Sequence, residues 1–223
     1  MSQTGPREHL ARLLAEAVAS ALIGDLEQRE RVLLVVSGGS TPVPFFQALA
    51  RKPLAWHRVD VTLADERWVA ADAADSNARL VREHLLQHEA SEARFVPLTS
   101  EASTPEEGVE EVAQRLLTLA WPASAVVLGM GEDGHTASLF PDCRELELAL
   151  STEVPVVAVR TPSQFQPRIT LSADRLHQTR RLFLHITGET KRVVLGEALG
   201  GDDIRTLPIR AFLAGPLAIH WAP

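Results

Sequence analysis

The stretch from Ala125 to Phe140, AVVLGMGEDGHTASLF, places Asp133 two residues before His135 in a glycine-rich loop. A carboxylate beside an imidazole can orient it and stabilise its protonated form, which is what a general base requires. The same loop carries Gly129, Gly131 and Gly134 in the spacing G-x-G-x-x-G, which dinucleotide sites also use. That fingerprint needs a long helix after the third glycine and an acidic residue about 20 residues on, at the end of the next strand. Pro141 lies seven residues past Gly134, and Glu153 precedes the apolar run VPVVAV instead of ending it. A nucleotide site is therefore not expected. Two readings of the loop stay open. Either alternate residues of an extended loop turn Asp133 and His135 toward one cavity, or Asp133 caps a short helix, TASLF, in a polar turn.

Anion chemistry has its own candidates. SGGSTP, residues 37–42, lies between a strand and a helix, and its glycines let the backbone approach a ligand closely. The amides of Gly38, Gly39, Ser40 and Thr41, with the helix dipole, favour a phosphate there. A capped strand-to-helix turn is the plainer alternative. No lysine stands where a Walker loop needs one, and no G-x-S-x-G elbow is present. LADERWV ends an apolar strand in Asp65, Glu66 and Arg67, charges that must be solvated, paired or used on a ligand. Arg168 opens RITLS. Lys191 follows HITGET near a helix start, where a cation opposes the dipole unless it serves a bound anion. An ordinary surface role is the alternative for both.

Weaker candidates carry less. His84 and His88 are four apart on an expected helix but lack the glutamate of H-E-x-x-H, so a solvated face is expected. Cys143 reads as a small buried residue, and Trp56, Trp68, Trp121 and Trp221 as core or rim. No metal site is expected, and no cofactor.

The elements that must position these residues alternate. RVLLVVSGG (31–39), VDVTLADERWV (59–69), ARFVPL (93–98), AVVLGMG (125–131), VPVVAVR (154–160), RITLS (168–172), RLFLHITG (181–188) and LAIHWA (217–222) read as strands. Helical periodicity fills 41–51, 75–88, 104–120, 189–199 and 209–214, and the N-terminal stretch, with Arg7, Glu8, Arg12 and Glu16 among its apolar positions, reads as an amphipathic helix. Apolar strands alternating with helices predict an α/β fold, a doubly wound, mostly parallel Rossmann-like sheet with helices on both faces. No repeat or linker-like break appears, so one domain over residues 1–223 is expected. In such sheets ligands bind outside the carboxyl ends of the strands, where the unusual residues lie.

Composition narrows the class. Hydrophobic residues make up 45% and charged residues 23%, the balance of a globular chain with a sizeable core. No apolar run reaches roughly 18 residues, so no membrane span is expected. Net charge is −7 without a Lys/Arg cluster, which argues against nucleic acid. The single cysteine requires no oxidising compartment, and a cytoplasmic location is expected.

Taken in order, SGGSTP, LADERWV, DSN, GMGEDGHTASLFP, RITLS and TGETK resemble the 6-phosphogluconolactonase family, from about Val32 to Ala222. SGGSTP is shared with glucosamine-6-phosphate deaminases and sugar-phosphate sensor domains, whereas the histidine block is specific. The resemblance implies hydrolysis of 6-phosphoglucono-1,5-lactone in the oxidative pentose phosphate pathway, without cofactor or metal. It implies His135 as general base on water, Asp133 beside it, and Arg67 at the developing oxyanion. Gly38, Gly39, Ser40, Thr41, Arg168 and Lys191 would bind the phosphate. The deaminase pattern resembles this chain at Asp65, Asp133 and His135 but continues to an Asn-Glu pair where Leu139 and Phe140 stand. A sensor would add a basic helix-turn-helix segment, for which 223 residues at net −7 leave no space. The implied partner is a small sugar phosphate lactone, the chain being a monomer or at most a weak homo-oligomer.

Overall fold

Five consecutive buried aliphatic residues make β1 (Val32–Val36) a strand for the middle of a sheet covered on both faces. In the computed structural model, which describes residues 5–223, it pairs in parallel with β2 (Val59–Leu63) on one side and β5 (Ala125–Leu128) on the other. Beyond β2 lies β4 (Arg94–Phe95). Beyond β5 lie β8 (Leu182–Thr187) and then β9 (Leu217–Ala222). The order β4-β2-β1-β5-β8-β9 is parallel throughout, as the sequence predicts.

Helices flank this sheet. α1 (Pro6–Leu26) packs against α2 (Val43–Leu49), and Leu14, Val18 and Leu22 of α1 are fully buried. The N-terminal helix thus forms where expected, residues 1–4 lying outside the described residues. α3 (Asn77–His84) and α4 (Pro105–Leu117) start at Ser76 and Thr104, whose side chains accept from the amides of Arg79 and Glu107. Among the described residues no helix is long and apolar enough to cross a membrane.

Two segments behave differently from their sequence pattern. VDVTLADERWV is not one strand: the chain leaves the main sheet at Ala64, and β3 (Asp65–Arg67) joins a second sheet. There β3 pairs antiparallel with β7 (Arg168–Leu171), which pairs antiparallel with β6 (Val156–Val159). Ala64 is the joint, its amide donating to Val36 of the main sheet while its carbonyl accepts from Leu171 of the second. The expected helix over 75–88 also stops early, at His84, and the chain turns so that His88 has a positive φ of 51°. His84 and His88 therefore do not share a helix face, and the i,i+4 pairing read from their spacing does not form.

The strand order reverses between β1 and β5. In the main sheet the chain proceeds outward from β1 to one edge, then returns to β5 and proceeds to the other. Such a switch point opens a crevice at the carboxyl ends of the two strands. SGGSTP follows β1 and GMGEDGH follows β5, so both glycine loops border that crevice.

Candidate active site

The crevice holds a pocket of about 320 Å³, within the range of roughly 300–1,000 Å³ usual for small-molecule sites. Gly38, Gly39, Ser40 and Thr41 line it from the β1 loop, Arg67 and Arg168 from the second sheet, and His135 from the β5 loop. Lys191 lines it from the first turn of α7 (Glu189–Leu199). Every site residue expected from the sequence is brought together here except Asp133, which reaches the pocket only through His135.

That contact is close. Asp133 Oδ1 lies 2.5 Å from His135 Nδ1 and also accepts the His135 backbone N–H at 3.2 Å. Burial alone would raise the Asp133 pKa, but the hydrogen bond and charge of His135 outweigh it and hold the carboxyl below its ordinary value. The loop is a tight turn, not an extended segment: Gly131 N–H donates to His135 O and Gly134 N–H to Gly131 O. No helix forms over TASLF. Leu139 N–H donates to Thr136 O in a turn with Ala137 at positive φ, so there is nothing for Asp133 to cap. The helix-cap reading fails for that reason.

Two glycines of the G-x-G-x-x-G spacing have steric causes. A Cβ on Gly131 would lie 2.2 Å from both Nδ1 and Cε1 of His135 and 2.5 Å from Asp133 Oδ1. Gly134 adopts φ 74° and presses against Leu207, its would-be Cβ 2.5 Å from Leu207 Cδ2. Gly131 thus makes room for the imidazole–carboxylate pair, and Gly134 for Leu207. His135 also packs on Phe140, ring centroids 4.2 Å apart, with Arg168 over the same Phe140 ring at 5.3 Å.

The three charges of LADERWV divide their work. Glu66 is spent on structure: its carboxylate accepts the amides of Arg67, Asn77 and Ala78 and the Ser76 hydroxyl, fixing the start of α3. Burial raises its pKa in spite of those four donors. Asp65 is buried and accepts from Ser138 Oγ at 2.5 Å and from Arg168 Nη1 at 3.5 Å. Arg67 Nη1 donates to Asp75 O and Asn77 Oδ1, while its Nε is buried without a partner. Asn77 in turn donates to Asp65 O and packs so closely on Gly38 that a Cβ there would sit 1.9 Å from Asn77 Oδ1.

Positive charge exceeds what the pocket neutralises internally. Arg168 is buried, with Nη2 on Gln164 Oε1 at 3.1 Å and Nε unpaired. Its pKa is lowered, chiefly by burial and also by Arg67, against the pull of Asp65. Lys191 has no hydrogen-bond or ion-pair partner among the described residues, and burial lowers its pKa while the more distant Glu132 and Asp133 only partly offset that. The backbone N–H groups of Gly38, Gly39, Ser40 and Thr41 likewise have no acceptor among the described residues. Unpaired amides beside three cations are the features of an anion site. α2 has only seven residues, so these amides carry more of that field than the helix dipole.

Asn77, Gln164 and His185 also line the pocket, and the sequence reading assigned none of them a role. His185 left a signal, being the one polar residue inside the buried run LFLHI. Cys143 is buried and free, its thiol pushed up to about 12, an inert packing residue. Trp56 is core. Trp121 and Trp221 sit at the rim under Arg175 and Arg192. Among the described residues no group of three or more His, Cys, Asp or Glu side chains could hold a metal.

Comparison with known proteins identifies relatives of the chain along nearly its whole length. The family model described as glucosamine-6-phosphate isomerases/6-phosphogluconolactonase matches residues 5–221. A 6-phosphogluconolactonase of Pseudomonas aeruginosa is 46% identical over 224 residues, covering 98% of this chain and 93% of that protein. One from Rhizobium meliloti is 44% identical, covering 96% and 94%. The crystal structure of a 6-phosphogluconolactonase from Shewanella baltica superposes with a TM-score of 0.97 at 45% identity, covering 99% of this chain and 96% of that one. With the match running through both glycine loops and both sheets, the chain belongs to the glucosamine-6-phosphate isomerase/6-phosphogluconolactonase family.

Proposed function

We propose that this chain hydrolyses 6-phosphoglucono-1,5-lactone to 6-phosphogluconate, the second step of the oxidative pentose phosphate pathway, with His135 as general base. The observation that carries the reading is the Asp133–His135 pair set beside an anion site in one pocket. Asp133 on Nδ1 keeps the ring proton there and leaves Nε2 with a lone pair for water. Nε2 takes a proton as the water oxygen attacks the lactone carbonyl. Arg67, whose Nη2 is uncommitted, stabilises the developing oxyanion. Collapse of the tetrahedral species breaks the bond to the ring oxygen, which receives that proton from His135.

The phosphate is held by the amides of Gly38 to Thr41, by Lys191 and by Arg168, which exchanges Gln164 for a phosphate oxygen. Asp133 is a positioning residue, touching only His135. The deaminase alternative lacks support at one place: Phe140 packs its ring on His135 where the resemblance would require a glutamate.

A coupled assay on freshly generated lactone, with glucosamine 6-phosphate run in parallel, tests the reading. The wild type should outrun spontaneous hydrolysis of the lactone and leave the amino sugar unchanged. His135→Ala should unfold at the wild-type temperature and lose about 10²- to 10⁴-fold in rate, the usual range for a general base. Wild-type turnover by that variant overturns the assignment.

A further inference from the structure

His185 is buried, 4% exposed, in the middle of β8, with its ring edge-on to Phe45 of α2 at 6.0 Å. His220 of β9 is its direct neighbour in the parallel ladder, and the charge of Lys191 also acts on it. Its Nδ1 is sealed from solvent and has no hydrogen-bond partner among the described residues. Nε2 has no partner either, yet it is not sealed, and the residue contributes to the pocket wall. The ring therefore meets the pocket through its Nε2 edge.

A phenylalanine or leucine would fill this place without the cost of an unpaired buried nitrogen. Nδ1 stays unpaired, and Nε2, open to the pocket, is the nitrogen that a ligand can partner. Lys191 and the amides of Ser40 and Thr41 line the same pocket. A protonated imidazole beside Lys191 would add a second unpaired charge to the empty site, and burial holds the ring neutral, its pKa pushed down to about 4. Neutral imidazole carries a single ring proton, and an anion facing Nε2 selects the tautomer that holds it there.

We propose that His185 is a positioning residue for the substrate phosphate, donating an uncharged hydrogen bond from Nε2 to a phosphate oxygen beside Lys191. The inference rests on the phosphate site described above. A neutral donor adds directionality to the anion site without adding like-charge repulsion to the empty protein, which a lysine or arginine at 185 would do.

His185→Phe keeps the ring volume and removes both nitrogens. The measurement is kcat/KM on the phosphorylated lactone and on unphosphorylated gluconolactone, with spontaneous hydrolysis subtracted, together with the inhibition constant of inorganic phosphate. The preference for the phosphorylated lactone should narrow roughly tenfold, the low end for a hydrogen bond to a charged acceptor. Phosphate inhibition should weaken by a similar factor, and His185→Gln, which can present an amide N–H from the same direction, should recover part of both. If His185→Phe does not fold, His185→Leu replaces it. An unchanged preference and inhibition constant in the apolar variant, while Lys191→Ala loses both, overturns the role of His185 alone. If Lys191→Ala changes neither quantity, the phosphate-site reading falls and this inference with it.

Discussion

Arg67 and Arg168 are directly opposite one another in the antiparallel ladder of β3 and β7, so their side chains leave the same face of the second sheet. Like charges so placed repel, and Asp65, 3.5 Å from Arg168, offsets one of the two. An anion in the pocket relieves the remainder. Phosphate or 6-phosphogluconate should therefore stabilise the protein beyond chloride at matched ionic strength. At a ligand concentration of 100 Kd the gain is about 2.7 kcal/mol, or roughly 5–10 °C in Tm for a domain of this size. Identical melting curves in phosphate and chloride would leave the arginine pair without its anion.

Gly131 makes the imidazole–carboxylate pair possible, since a Cβ at that position would enter the space of both His135 and Asp133. Gly131→Ala should push the two apart and reduce kcat by a factor approaching that of base removal, about 10²- to 10⁴-fold. A methyl group on Gly129 would meet nothing within 4 Å, so Gly129→Ala leaves the pair in place and should cost far less. Equal activities for the two variants would break the steric link between Gly131 and catalysis.

The difference between these two glycines marks how far the sequence could be read. Local signals were legible: the buried run of β1, the glycines after it, and the carboxylate two residues before the histidine are all encoded within a few positions. So was the main sheet, because parallel strands covered on both faces are apolar along their whole length. The second sheet was not legible. Its start at Ala64 depends on hydrogen bonds to Val36 and Leu171, far off in sequence, and nothing within VDVTLADERWV marks the break. The spacing G-x-G-x-x-G likewise carried two meanings until the clash partner of Gly131 was placed. Asn77 was visible in DSN, but its contact with Gly38 spans two elements and has no local sign.

His185 gives the protein an acid-sensitive stability. Burial first, then the charges of His220 and Lys191, lower its pKa from 6.5 to about 4. Between those values the unfolded chain binds a proton that the folded chain does not, so stability rises with pH across the window. The contribution is fully present above about pH 6.5 and is lost as pH falls through about 4, up to about 3 kcal/mol. Half-buried His220, also lowered by desolvation, acts in the same direction. Urea unfolding of the wild type and His185→Phe at pH 7 and pH 5 isolates the contribution of His185. The variant should lose less stability on acidification, and parallel losses would contradict the assignment.

Asp133 separates orientation from binding. Its Oδ1 holds both the backbone N–H and Nδ1 of His135, and its lowered pKa keeps it ionised as an acceptor. In Asp133→Asn the amide is close in shape but can turn an N–H toward Nδ1, which moves the ring proton to Nε2 and removes the lone pair that water needs. The fold should persist, because Asp133 is exposed and the change preserves volume. The loss should fall on kcat, by about 10²- to 10⁴-fold, the cost of disabling a general base. KM should stay near wild type, since Asp133 does not line the pocket. The same factor should apply to phosphorylated and unphosphorylated lactone alike, whereas Lys191→Ala should penalise the phosphorylated one alone. Steady-state kinetics of both variants on both substrates make the comparison. A raised KM with kcat intact in Asp133→Asn would move Asp133 from orienting the base to holding the substrate.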